Sequence, residues 1–304
     1  MCSKGGIFII KNGILVIDKP YGCTSFDVIF NLRRMLKVKK AGHCGTLDPI
    51  ATGVLPVFFG KATKAINFLP DTNKEYIAGF KLGFNTDTLD ITGKVLNRKN
   101  SYIKKEDIIS IIPNFKGRLK QLPPMYSAVK VNGEKLYNLA RQGKVVNRKE
   151  RIINVYNLEL LQFNENSQEG FFFVYCSSGT YIRSLIDDIC KALGVFGTLS
   201  SLRRSFSCGF YLKDAVKLEY IKYIVDLNYI DRLCSLILPI ESVFKGFSRL
   251  NINISQRDKF LNGVKLSLGG ACSVKGIVSI YCDNEFLGLA HYENGFLKID
   301  KLFK

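Results

Sequence analysis

Between Ala41 and Lys64 no regular element can run unbroken, because Gly42, Gly45 and Gly53 interrupt it. A segment of that kind folds as a loop between firmer elements, and loops on a rigid scaffold are where binding and catalytic groups sit. This one carries His43, one of two histidines in the chain, and a single carboxylate, Asp48. Asp48 precedes Pro49, which drives its backbone out of the α region. Two readings stay open on these residues alone. Asp48 is either an N-cap with proline at the first helical position, or a functional carboxylate presented by the loop. A phosphate-binding reading fails on spacing: Gly53 and Gly60 are too far apart for the G-x-x-x-x-G-K-[ST] pattern, and Ala62 stands where its hydroxyl should be.

The 304 residues suffice for one large domain and a small one. Lys and Arg total 44 against 26 Asp and Glu, a net charge of +18, so the surface presents a strongly positive field whose natural partner is an anionic polymer. No apolar run reaches the ~18 residues of a membrane-spanning helix. The first residues show neither the long apolar core nor the cleavage site of a secretory leader. Both point to a cytoplasmic protein. Nine cysteines contain no Cys-x-x-Cys pair, and with two histidines they offer no clustered zinc ligands. Cys176, Cys190 and Cys282 lie inside apolar runs and read as buried reduced thiols. Cys44 has no nearby base in the loop to activate it as a nucleophile.

Along the chain, 13–18 reads as a short buried strand ended by the turn Lys19-Pro20-Tyr21-Gly22. Ser25 is expected to cap a helix whose apolar face is Val28, Ile29, Leu32, Met35 and Leu36. The basic run Arg33, Arg34, Lys37, Lys39 and Lys40, just ahead of the Asp48 loop, suits a phosphate-contacting rim. Residues 54–59 form a strand in which Pro56 implies an edge or a bulge. In 75–84, Tyr76, Ala78, Phe80, Leu82 and Phe84 alternate with their neighbours as in a half-buried strand. Asp87 and Asp90 are turn and capping groups with no third metal ligand nearby. Asn132-Gly133 signals a type I′ hairpin. Residues 182–193 carry the apolar stripe of a helix closed by Gly194, which puts Arg183 in a first turn that disfavours a cation. An i,i+4 bridge to Asp187 is the plainest explanation for that arginine. From about Leu250 a short helix and alternating strands form a small unit with turns at Asp283-Asn284 and Glu293-Asn-Gly295.

Gly42-His-Cys-Gly-Thr-Leu-Asp-Pro-Ile-Ala-Thr-Gly-Val-Leu-Pro56 resembles the catalytic motif of tRNA pseudouridine-55 synthases of the TruB type, with Cys44 in place of Thr and Ile50 in place of the commoner Leu. Lys19-Pro-x-Gly-x-x-Ser25, Leu122 to Gly143 and Ser178-Gly-Thr-Tyr-Ile-Arg183 resemble the same family, so the likeness covers most of residues 13–210. The resemblance implies an α+β pseudouridine synthase fold: a mixed, largely antiparallel sheet flanked by helices over 1–248, an RNA-binding insertion at about 104–150, and a small β-barrel-like PUA-type domain over 249–304. It implies isomerisation of the uridine at position 55 of the tRNA T-arm. Asp48 would be the catalytic carboxylate and Arg183 its partner. Tyr76 would stack under the target base and be a candidate for proton transfer, Tyr181 and Leu202 would contact the flipped nucleotide, and His43 would support the displaced RNA. The reaction conserves atoms, so the resemblance implies no cofactor and no metal. It further implies a monomer acting on tRNA without an obligate protein partner. A guide-RNA-directed synthase and a non-catalytic RNA-binding or tRNA-folding protein are the two alternatives on the same scaffold.

Overall fold

The computed structural model describes residues 12–100, 102–268 and 275–303; residues 1–11, on which the expected lack of a leader rests, lie outside that range. The strand Gly13–Lys19 explains why the sheet sits at the centre. Its odd positions Leu15 and Ile17 enter one hydrophobic cluster and its even positions Ile14 and Val16 another. A strand covered on both faces reads as a continuous apolar run rather than as an alternation. It pairs antiparallel with Ala51–Phe59 along its full length, and parallel with the two-residue strand Val216–Lys217. From Ala51–Phe59 the sheet continues through Gly197–Ser207, Lys74–Leu82, Glu169–Cys176 and Arg151–Asn164 to Gly117–Gln121, while Phe210–Tyr211 and Ala41–His43 pair off this path. The result is a ten-stranded mixed sheet, largely antiparallel.

Helix Ile182–Ala192 packs its apolar stripe on the half of the sheet built around Tyr76, Phe80, Phe172 and Val174. Helices Ser25–Met35 and Leu218–Asp226 cover the other half through Val28, Leu32, Ile221 and Ile224. The cap of the first of these differs from the sequence expectation. Thr24, not Ser25, is the N-cap, and Asp27 completes a reciprocal capping box with it. Ser25 is thereby released for another task, described below.

Pro56 lies neither at an edge nor in a bulge. It is buried between Gly13–Lys19 and the gap that opens where Gly197–Ser207 leaves the ladder after Gly53, before Ala41–His43 takes it up at Val57. The Pro56 carbonyl accepts from the Cys44 N–H at 3.3 Å. Its missing donor is therefore not demanded by a continuous partner. At the crossing itself Gly53 has φ 102°, and a Cβ there would stand 2.2 Å from the Arg204 carbonyl oxygen. Only glycine lets the two strands approach so closely.

The C-terminal strands make a separate five-stranded sheet in the order Ser248–Asn251, Gly276–Cys282, Glu285–Glu293, Phe296–Leu302 and Leu266–Ser267. Asn284 and the pair Asn294-Gly295 have positive φ, as their turn chemistry predicts. This unit has its own core and docks Leu289, Phe286 and Phe303 against Phe244 of the larger body.

Replacing Gly53 with Ala is expected to lower the thermal midpoint sharply, because a Cβ forced onto backbone at positive φ costs at least as much as the ~1–3 kcal/mol of ordinary overpacking. Thermal unfolding followed by circular dichroism measures it, and an unchanged midpoint would count against this strand crossing.

Candidate active site

Asp48 caps no helix. The turn 48–51 closes with the Ala51 N–H on the Asp48 carbonyl at 3.0 Å and runs straight into the strand Ala51–Phe59, so of the two local readings the structure removes the N-cap. The residues on either side of Asp48 are clamped. Leu47 donates its N–H to the Ser25 hydroxyl at 2.8 Å and accepts from it at 3.2 Å, which is what Ser25 does in place of capping. Pro49 accepts from the Gly22 N–H at 2.9 Å. The turn that supplies Gly22 is tied in its own right by the fully buried Lys19, whose ammonium donates to the carbonyls of Pro20 and Cys23. Burial pulls the Lys19 ammonium below the ordinary lysine value.

A second strut reaches the loop from the Gly197–Ser207 strand. Arg204 is completely buried and donates Nε to the Val54 carbonyl at 2.7 Å and Nη2 to the Gly45 carbonyl at 3.0 Å. Sequence reasoning missed this residue. A readable signal existed, since Leu202 and Arg204 share the buried side of a period-two strand while the intervening Arg203 is only half-buried. Lys74, also buried, donates to the Thr72 carbonyl and lies against Gly45.

Arg183 does not bridge Asp187, which pairs with Lys191 instead. Its Nε lies 3.0 Å from Asp48 Oδ2, and its two terminal nitrogens donate to the Thr88 and Tyr126 carbonyls at 2.9 and 2.8 Å. The Arg183 side chain is 5% exposed and that of Asp48 38%. A buried cation thus holds the inner side of a carboxylate whose outer side faces solvent. The carboxylate answers the unfavourable position of the arginine at the start of helix Ile182–Ala192.

Tyr76 stands opposite Arg204 in the ladder, and Leu202 stands opposite Ala78 on one side and Ala51 on the other. Tyr76 and Leu202 pack with Leu47 in one cluster, so both border the loop that carries Asp48. Burial pushes the Tyr76 phenol up to about 12, against the opposing pull of Arg204. His43 is half-buried at the start of the loop, with Nδ1 enclosed and without a hydrogen-bond partner. Burial, helped by the Arg204 charge, lowers its basicity. Tyr181 is the N-cap residue of the Arg183 helix, and its backbone is held from both sides by the Gln121 amide. The structure therefore brings Asp48, Arg183, Tyr76, Leu202 and His43 around one loop, with Tyr181 two residues from the arginine. Among the described residues no group of three or more His, Cys, Asp or Glu could hold a metal ion.

Comparisons with known proteins point the same way. Residues 33–182 match the model of the TruB family pseudouridylate synthase N-terminal domain, and 183–245 match that of the tRNA pseudouridylate synthase B C-terminal domain. Arg183 falls on the boundary of the two matches. The tRNA pseudouridine synthase B of Clostridium tetani is 41% identical over 295 residues, covering 96% of this chain and 99% of the relative. That of Francisella philomiragia is 42% identical over 296 residues, covering 96% and 95%. Among solved structures, a chain in the crystal structure of a Cbf5–Nop10–Gar1 complex superposes with a TM-score of 0.72 at 28% identity, over 96% of this chain and 85% of that one. The α+β body and the appended small sheet are thus a pseudouridine synthase fold with a PUA-like C-terminal domain. With the family models spanning most of its length and relatives above two-fifths identical end to end, the chain belongs to the TruB family, whose named members are tRNA pseudouridine synthases.

Proposed function

We propose that the protein isomerises the uridine at position 55 of the tRNA T-arm to pseudouridine, with Asp48 as the catalytic carboxylate. The observation that carries this reading is the asymmetry of Asp48: its inner oxygen is fixed by the buried Arg183, and its outer face is open. The reaction breaks the N-glycosidic bond, turns the uracil and rejoins it through carbon, so atoms balance without a redox partner. A carboxylate cannot reach a uridine stacked in an RNA loop, and the nucleotide has to be flipped out and held. Tyr76 supplies a ring for the base to stack on and a phenol that stays protonated at neutral pH, available for proton transfer. Leu202 and Tyr181 provide the remaining contacts of the flipped nucleotide. His43, kept neutral, faces the displaced RNA rather than moving protons.

The rim suits a phosphate backbone. Arg33, Arg34, Lys37, Lys39 and Lys40 are exposed, on the helix and turn that lead into the loop. We assign catalysis to residues 1–248 and a supporting RNA contact to 249–304, with the insertion at about 104–150 assisting. The higher identity to the tRNA pseudouridine synthase B relatives than to the Cbf5 chain favours a stand-alone cytoplasmic monomer acting on tRNA over a guided enzyme.

Purified protein given unmodified T-arm RNA and nothing else is expected to form pseudouridine at position 55. Asp48→Asn is expected to abolish product while leaving RNA affinity within a few fold. Modification elsewhere, a need for a second RNA, or near-normal turnover by the variant would each count against the reading.

Arg183→Lys should lower turnover at least tenfold with little change in RNA binding, since an ammonium cannot serve Asp48 and two carbonyls from one plane. Combined with Asp48→Asn it should add nothing. Asp187→Ala, which removes only a pair with the exposed Lys191 worth ~0.3–0.5 kcal/mol, should leave turnover normal. Equal turnover for Arg183→Lys and Asp187→Ala in a side-by-side assay would take Arg183 out of the site.

RNA affinity should fall steeply with salt, with a log–log slope of about −0.7 per phosphate neutralised on single-stranded segments. A flat titration would point away from RNA.

A further inference from the structure

Two cysteines that the proposed chemistry does not use meet directly beneath the loop. Cys44 follows His43 at the start of the Asp48 segment, and Cys208 is 164 residues away at the end of the Gly197–Ser207 strand. Their sulfurs are 2.6 Å apart, both thiols are free, and both side chains are buried. That separation is close to the ~2.05 Å of a sulfur–sulfur bond. A second observation concerns the backbone. Cys208 and Gly209 form the two-residue turn between Ser207 and Phe210, with φ of 56° and 82°. Both signs are those of a type I′ turn, whose first position favours Asn, Asp or Gly. A cysteine held in the left-handed region is strained, and strain of that kind points to a role for the side chain.

We propose that Cys44 and Cys208 are an oxidisable dithiol, which a two-electron oxidant such as hydrogen peroxide joins into a disulfide that fastens the Asp48 loop to the 207–210 hairpin. The Cys208 thiolate attacks one peroxide oxygen, the O–O bond breaks, and the leaving hydroxide takes a proton to become water. The Cys44 sulfur then attacks the resulting sulfenic acid, the S–S bond forms, and the sulfenic oxygen departs as a second water carrying the Cys44 proton. Two thiols lose two electrons and peroxide gains them; a dithiol reverses the bond by exchange. The electrostatics suit the first step. The thiol of Cys208 is pulled down to about 7, chiefly by its hydrogen bond with Cys44 and secondarily by Ser207 and the charges of Lys74 and Arg204, while Cys44 is pushed up in the exchange.

Closing the sulfurs to bonding distance draws them about half an ångström nearer and pulls on Cys44. The neighbouring Gly45 has φ 78° and is held by Arg204 through its carbonyl, so the shift passes into the loop four residues ahead of Asp48. A strained loop that shifts Asp48 even by a fraction of an ångström loses turnover.

The test uses the full-length protein treated with hydrogen peroxide, digested without reductant and read by mass spectrometry. A peptide linking Cys44 to Cys208 is expected, lost on dithiothreitol treatment and absent from C208S and from C44S. Turnover on T-arm RNA should fall several-fold on oxidation and return with dithiothreitol, while C208S keeps its reduced-state turnover under peroxide. Free thiols at both positions after treatment, separate oxidation without a link, or pairing with other cysteines would overturn the proposal. A link formed with unchanged turnover would overturn its effect on the loop. The linked peptide does not depend on the proposed function; only the turnover arm does, and a protein inactive in both redox states but cross-linked would fail that function and leave the dithiol standing.

Discussion

A guanidinium sunk in the first turn of a helix has to be given acceptors on every side, and the way Arg183 obtains them organises the molecule. Leaving such a charge unpaired in the interior would cost several kcal/mol. Two of its nitrogens take carbonyls from the 88 and 126 segments, and the third takes Asp48. Three stretches far apart in sequence are thereby gathered at the N-terminus of one helix. Asp48 is the only one of the three acceptors that carries charge and remains reachable from outside.

The same device recurs around the loop. Lys19 and Arg204, both fully buried, donate to main-chain carbonyls rather than to carboxylates. A buried cation bonded to carbonyls fixes backbone position without neutralising itself, so the pocket around Asp48 keeps a positive field. That field suits an anionic polymer approaching the site. It also adds to the burial that lowers the basicity of His43 and, after the hydrogen bond with Cys44, to the low thiol of Cys208.

Rigidity here comes from crowding as much as from polar bonds. Gly53 allows the Arg204 backbone to pass so close that no other residue fits, and the central strands are covered on both faces. The loop is irregular, yet Leu47 and Pro49 are each tied to the turn and helix start at 22–25, so its irregularity is not looseness. Catalytic geometry depends on positions held to fractions of an ångström, and this double anchoring supplies them.

Much was legible in the residues alone. Period-two alternation marked the strand with Tyr76, the 3.6-residue stripe marked the helix behind Arg183, and Asn132-Gly133 marked its hairpin with φ of 50° and 85°, while of the three glycines expected to break the 41–64 segment only Gly45 lies in the loop, Gly42 and Gly53 being taken into the strands Ala41–His43 and Ala51–Phe59. These are local signals, and local sterics suffice to read them. The motif resemblance added the family and the role proposed for Asp48. What chain order could not convey was pairing across distance. Whether Arg183 turns to Asp187 one helical turn away or to Asp48 across the molecule depends on which carboxylate the folded sheet brings within 3.0 Å, and Lys191 claims the nearer one. Whether Ser25 caps a helix or clamps Leu47, whether Pro56 sits at an edge, and whether Cys44 meets Cys208 were likewise settled by strand order and register. Local conformation is decided by each residue and its neighbours, but contacts between residues from 22 to 164 positions apart exist only once the sheet has closed, because tertiary packing alone selects among partners that the sequence leaves equally available.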